Sequence, residues 1–316
     1  ARHEPLQAIA WDESAVRRTI AQIVGDAEAR FTPEGLWPPH PMDLEAQDPA
    51  DQPFAPLYFG ACGVVWALHY LQDLGAMTLR RSYLPHLDAI QQRNRAWLGA
   101  DAAASAGSYL MGDTPFALMA CAAQPDVPQH RDTLAALIEG NLAHPARELM
   151  WGAPGTLLAA LMMHRSSGDA RWAELFLKTA RMLWAQLVWS TEHQCHYWTQ
   201  DLYGKHCSYL DAVHGFVATA SPLIGGRHLM PASEWAAWEQ CIVNTIARSA
   251  RHEGDQVNWP AWLIPPEGAQ PRYLMQFCHG APGFIICLGD LPGHELDALL
   301  LHAGETVWAA GPLVKG

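Results

Sequence analysis

The sequence is short of positive charge, of long apolar runs and of strand-like alternation, and each shortage closes off a class of function. Lys and Arg number 20 against 32 Asp and Glu, a formal net charge of −12. Binding to phosphate backbones needs a basic footprint, so a nucleic-acid partner is not expected. The acidic balance suits solubility, with a preference for basic substrates as the alternative meaning. No apolar run approaches the ~20 residues that span a bilayer. Residues 1–10 carry Arg2, His3 and Glu4 and lack the apolar core of a signal peptide. The seven cysteines, Cys62, Cys121, Cys195, Cys207, Cys241, Cys278 and Cys287, are scattered and odd in number, which is no disulfide framework. Reduced thiols in a cytoplasmic protein are the expectation. No stretch alternates convincingly with period two, so the chain is expected to be essentially all-α.

What is present is helical periodicity broken by glycine turns. About half of the 316 residues are apolar, enough for a sizeable core. A first helix is expected over residues 1–30, with a stripe of Val16, Ile20, Ile23 and Val24. A proline-rich connection over 31–56 follows. Amphipathic helices are expected over 79–98, 128–140, 171–191, 231–252 and 294–308, and irregular aromatic loops over 192–208 and 256–270. Between them lie short helices that are apolar nearly all round, over 64–74, 116–123, 156–164 and after 283.

Each apolar helix follows a turn of the same kind. Gly60, Gly112, Gly152, Gly215 and Gly280 recur at uneven steps of 40 to 65 residues. Each has apolar or aromatic residues before it and a buried helix, then an amphipathic one, after it. Self-similarity of this period signals an array of helical hairpins. Closure of such an array would gather the turns at one end, where a site is expected.

The turns also hold the residues suited to chemistry. Cys278 and His279 precede Gly280, at the start of a helix whose unpaired N–H groups and dipole favour a thiolate. A lone Cys-His pair falls short of the three or four protein ligands that zinc takes. His214 stands before Gly215 as an acid/base candidate or as a residue that merely packs the turn. Glu148 lies four residues before Gly152; it could orient His214 if the two turns converge, or pair with Arg147.

The turns together resemble the lanthionine synthetase C-like family. Phe277-Cys278-His279-Gly280-Ala281-Pro282-Gly283 is similar to that family's W-C-H/Y-G-x-P-G motif. Tyr58-Phe59-Gly60-Ala61-Cys62-Gly63, Leu110-Met111-Gly112-Asp113, Glu148 with Trp151-Gly152-Ala153-Pro154-Gly155, and Val213-His214-Gly215 match its other turns in order. The resemblance implies a single α/α toroid domain over 1–316, with about five of the family's seven helical hairpins present. It implies a zinc-dependent enzyme that adds a cysteine thiol of a peptide, or glutathione, to dehydroalanine or dehydrobutyrine, giving a thioether. By position, it makes Cys278 a zinc ligand, His214 the active-site proton donor or base, Glu148 an orienting or catalytic acid, and His279 the residue beside the metal. The family's remaining two zinc ligands sit on a sixth turn. The chain is therefore expected to be C-terminally incomplete, with those ligands beyond Gly316. Leu274 stands where the cyclases carry an arginine, and Pro115 and Ala218 replace second glycines.

Two other functions fit parts of the pattern. A toroid that binds thiols or proteins without catalysis needs only the fold. A carbohydrate enzyme needs paired carboxylates, for which Glu148, Asp113 and Asp211 are the candidates, but it leaves the Cys-His-Gly turn without a role.

Overall fold

Apolar helices begin where the backbone is squeezed into a glycine turn; those after Gly112, Gly152 and Gly215 are largely buried, whereas the one after Gly60 exposes Trp66 and Tyr70 and the one after Gly280 exposes Ile286. The structure, a computed structural model, describes residues 10–44, 52–266 and 269–311. Expectations for the remaining stretches, among them the start of the first helix and the end of the chain, lie outside the described residues. Contacts divide the described residues into two compact units, with the division in sequence between Leu134 and Ala135.

The first unit holds α1 (Glu13–Arg30), α2 (Ala61–Asp73), α3 (Leu87–Leu98) and α4 (Thr114–Ala123), and α5 (Pro128–Asn141) begins in it. Asp12 caps α1 by accepting from the Ala15 amide at 2.9 Å. Its core gathers Val24, Phe31, Leu36, Val65, Tyr83 and Ile90. Buried Glu28 accepts from the Arg80 amide at 2.8 Å and from the Tyr83 hydroxyl at 3.3 Å. Those bonds explain why the helix expected from residue 79 starts only at Leu87. The Tyr83 amide, which a helix from residue 79 would bond to the Leu79 carbonyl, is taken by His69 instead, and the Leu79 and Arg80 amides are held by Gln72 and Glu28. Leu84–His86, with Pro85 inside it, forms a 3₁₀ turn instead.

The second unit holds α6 (Ala153–Ser167), α7 (Ala170–Ala185), α8 (Phe216–Gly225), α9 (Ala232–Ser249), α10 (Ala281–Leu288) and α11 (Asp297–Ala310). α6 packs on α7 and α8, α8 on α10, and α10 on α11. α8 is buried at every position from Phe216 to Ile224 except Ser221. α7 buries Trp172, Leu175, Phe176, Thr179, Ala180 and Leu183, the one-sided stripe of a helix with water on its other face.

Among the described residues, three two-stranded antiparallel ribbons depart from the expectation of no strands. They are β1 (Val188–Ser190) with β2 (Cys195–Tyr197), β3 (Gln200–Leu202) with β4 (Lys205–Cys207), and β5 (Arg251–Glu253) with β6 (Gln256–Asn258). The helix expected to reach residue 191 therefore stops at Ala185, and the stretch expected as an irregular loop is two hairpins. Three-residue strands are too short to leave a periodic signature.

The turn glycines are set by crowding. A Cβ on Gly215 would run into the Asp211 amide nitrogen and the Leu210 carbonyl carbon, and one on Gly280 into the Leu274 carbonyl oxygen. Gly280 also has φ +114°, a region that L side chains rarely adopt. Gly140, by contrast, lies in α5 with nothing within 4 Å of its would-be Cβ. Gly280→Ala is expected to cost about 2–4 kcal/mol of stability, and Gly140→Ala to gain about 0.5–1 kcal/mol. Denaturant titration of both variants measures this contrast; equal effects would contradict it.

Candidate active site

Three successive turns of the second unit converge. The Leu149 amide donates to the Val213 carbonyl at 3.2 Å, which joins the turn before α6 to the turn before α8. A Cβ on Gly283 would meet the Cβ of Ala212 and the Phe277 carbonyl, so the turn before α10 presses on the turn before α8. Four residues ahead of a turn glycine stands a buried carboxylate: Glu148 ahead of Gly152, and Asp211 ahead of Gly215. Each carboxylate organises its own loop in the same way. Glu148 accepts from the amides of Met150 at 2.8 Å and Trp151 at 2.6 Å. Asp211 accepts from the amides of Val213 at 2.9 Å and His214 at 2.7 Å.

Each carboxylate also meets a histidine of the next turn. His214, immediately before Gly215, has Nδ1 at 2.8 Å from Glu148 Oε2, in a hydrogen bond. His279, immediately before Gly280, has Nδ1 at 2.8 Å from Asp211 Oδ2. The second contact is of ion-pair length without a directed hydrogen bond, since both of its atoms are buried and lack an aligned partner. The internal repeat has thus produced the same acid–histidine pairing twice, one turn apart. Tyr209 lies against both rings, with centroids 5.6 Å from His214 and 5.9 Å from His279.

Both pairs are largely buried. Burial pulls the His214 pKa down, but the hydrogen bond and charge of Glu148, with the charge of Asp211, outweigh it, so the pKa is raised above 6.5. Nδ1 is committed to Glu148, which leaves Nε2 to exchange a proton with a substrate. Burial, then the Asp211 charge, push the Cys278 thiol pKa up, against the lowering effect of backbone amides. The thiol donates to Gln276 Oε1 at 3.3 Å. The Cys278 turn is itself pinned by buried Asn258, which accepts from the Ala281 amide at 2.8 Å and donates to the Leu274 carbonyl at 3.2 Å.

All four residues singled out from the sequence, Glu148, His214, Cys278 and His279, therefore lie on this group of turns. The condition set for Glu148, that its turn converge with that of His214, is met in the geometry. Asp211, named only as a carboxylate for a sugar-processing reading, proves to be the partner of His279. Its spacing of four residues from Gly215, matching Glu148 and Gly152, was the available signal. Asn258 left none, because its partner lies 23 residues away in sequence. Among the described residues, no group of three or more His, Cys, Asp and Glu side chains is arranged to hold a metal ion.

Glu148→Gln removes both Glu148 causes that raise the His214 pKa and leaves burial in place. The His214 titration, followed by NMR, is expected to move to lower pH. The raised pKa stabilises the folded state most below the unfolded value of 6.5 and loses that effect as pH rises through the folded pKa. The stability deficit of Glu148→Gln is accordingly expected to shrink on the alkaline side. An unmoved titration would show that Glu148 does not set the charge of His214.

No protein-family model matches the chain, and comparison with curated proteins finds no match. Among described residues, no helix is long and apolar enough to cross a membrane. Among solved structures, the chain is similar to nisin cyclase, with a TM-score of 0.54 and 15% sequence identity over 94% of this chain and 76% of that one. Identity this low carries the fold alone, and the fold class is the all-α, α/α toroid that the five turns implied.

Proposed function

We propose that the chain catalyses the addition of a thiol to a dehydroalanine or dehydrobutyrine residue of a peptide, with His214 as the proton donor. The observation that carries this is the His214 Nδ1–Glu148 Oε2 contact of 2.8 Å at the meeting of two turns. The sulfur of the thiolate bonds to the β-carbon, the alkene electron pair moves toward the carbonyl as an enolate, and a proton is placed on the α-carbon. The proton lost by sulfur balances the proton gained by carbon. A histidine whose pKa is raised by a buried carboxylate suits the second half of this exchange. His279, held against Asp211, flanks the same turn as Cys278, where the sulfur would approach. The likeness of fold to nisin cyclase supports a peptide substrate, and glutathione is the alternative source of the thiol.

Zinc belongs to this reading with Cys278 as its ligand on this chain. The described residues around Cys278 do not complete a tetrahedral set; the proton chemistry is assigned to His214 and Glu148 on their own contact. The second reading is a toroid that binds thiols or proteins without turning them over, which needs the fold but no proton donor at His214.

His214→Ala is expected to lower thioether formation by about a hundredfold or more, measured by mass spectrometry on a dehydroalanine-containing peptide with glutathione. Parental activity no greater than that of His214→Ala favours the binding reading. Metal analysis tests zinc separately. Stoichiometric zinc in the parent that is lost in Cys278→Ala supports coordination there, whereas less than about a tenth of an equivalent in an active parent removes the metal.

A further inference from the structure

The β3–β4 ribbon holds a tyrosine in a backbone conformation that its side chain does not favour. Tyr203 has φ +53° and Gly204 has φ +73°, in the two-residue loop between the paired Leu202 and Lys205. Two positive φ values mark a type I′ turn, in which Asn and Gly are the low-cost residues. Tyrosine gains little burial in exchange, being 72% exposed. Strain of this kind clusters at functional positions.

The surroundings show what the tip of the ribbon is aimed at. The Tyr203 ring stands edge-on to His214, with centroids 6.4 Å apart. Its hydroxyl accepts from Trp151 Nε1 at 3.2 Å and lies 3.7 Å from Met150 Sδ. Those two residues belong to the loop that Glu148 organises. The foot of the ribbon is tied to the same stretch. The Asp201 amide donates to the Pro145 carbonyl at 3.1 Å, and the Arg147 guanidinium donates to the Thr199 carbonyl at 2.8 Å and to its hydroxyl at 3.0 Å. Gln200 clamps the segment that follows the other strand by bonding the Tyr209 amide and carbonyl at 2.7 and 3.3 Å. The His214 side chain is only 17% exposed, flanked by Tyr209 toward His279 and by Tyr203 toward water.

We propose that Tyr203 is a substrate-contacting residue: the exposed face of its ring holds the peptide segment next to the dehydro residue that His214 protonates. The inference rests on the addition reading given above. A tyrosine ring with a hydroxyl at its rim offers both an apolar face and a hydrogen-bonding edge, which suits an extended peptide. Trp151, tied to that hydroxyl, widens the platform.

The test uses Tyr203→Asn, because asparagine accepts the left-handed conformation and preserves the turn. A synthetic peptide with one dehydroalanine is assayed with glutathione, and the same peptide with alanine in place of dehydroalanine is titrated by calorimetry. Tyr203→Asn is expected to melt at the same or a higher temperature and to bind the alanine peptide about tenfold more weakly. KM is expected to rise by a similar factor while kcat falls less than about threefold. Binding within about twofold of the parent overturns the proposal, as does a parent that does not bind the alanine peptide, or a lower melting temperature with kcat and KM impaired alike. Failure of the addition reading looks different: the parent turns over no faster than His214→Ala, while the calorimetric loss in Tyr203→Asn stands.

Discussion

A buried carboxylate that captures two amides of its own loop and one histidine of the next is the interaction on which the site depends. A carboxylate without water is costly unless its lone pairs are met. Glu148 meets this demand with the amides of Met150 and Trp151 and with His214. Asp211 meets it at one oxygen with the amides of Val213 and His214, and its other oxygen lies 2.8 Å from His279 Nδ1 without a directed hydrogen bond. The same bonds that stabilise the charge thereby fix the loop, the direction of the following helix and the orientation of a histidine. Asp211 links the two pairs, because its amide bond to His214 and its contact with His279 lie on opposite oxygens.

The glycines make that arrangement possible. Gly215 brings the chain so close to Asp211 that no side chain fits, and Gly280 does the same against Leu274. With the turns compressed, the first turns of the helices that follow are buried, and α8 is buried along nearly its whole length. The ribbons between the helices then have a different task from the helices. They do not add to a common sheet. They carry side chains such as Tyr203 and Asn258 toward the turns, one from the outside and one from within.

The two acid–histidine pairs are copies by position but not by environment. His214 has a directed hydrogen bond, a pKa raised by two carboxylates and an aromatic residue on each flank. His279 has an unaligned contact and a neighbouring thiol held in its protonated form. A repeat supplies the geometry twice, and local surroundings assign the duties.

Much of this was legible along the chain. The spacing of Gly60, Gly112, Gly152, Gly215 and Gly280 and the apolar stretches after them announced an all-α hairpin array, because crowding at a turn and burial of a helix are both written locally. Glu148, His214, Cys278 and His279 could be named for the same reason, since each stands at a fixed offset from a glycine. What local pattern could not decide was pairing. Glu148 is 66 residues from His214, and whether a carboxylate meets a distant histidine or the adjacent Arg147 depends on how the helices behind them pack. The ribbons escaped notice because three residues hold no period, and the delayed start of α3 because side chains from Glu28 and His69 compete for its amides. Residue types and offsets came from the sequence alone; partners, charge states and the tyrosine set beside His214 came from the tertiary structure, because contacts and burial between distant segments exist only once the chain is packed.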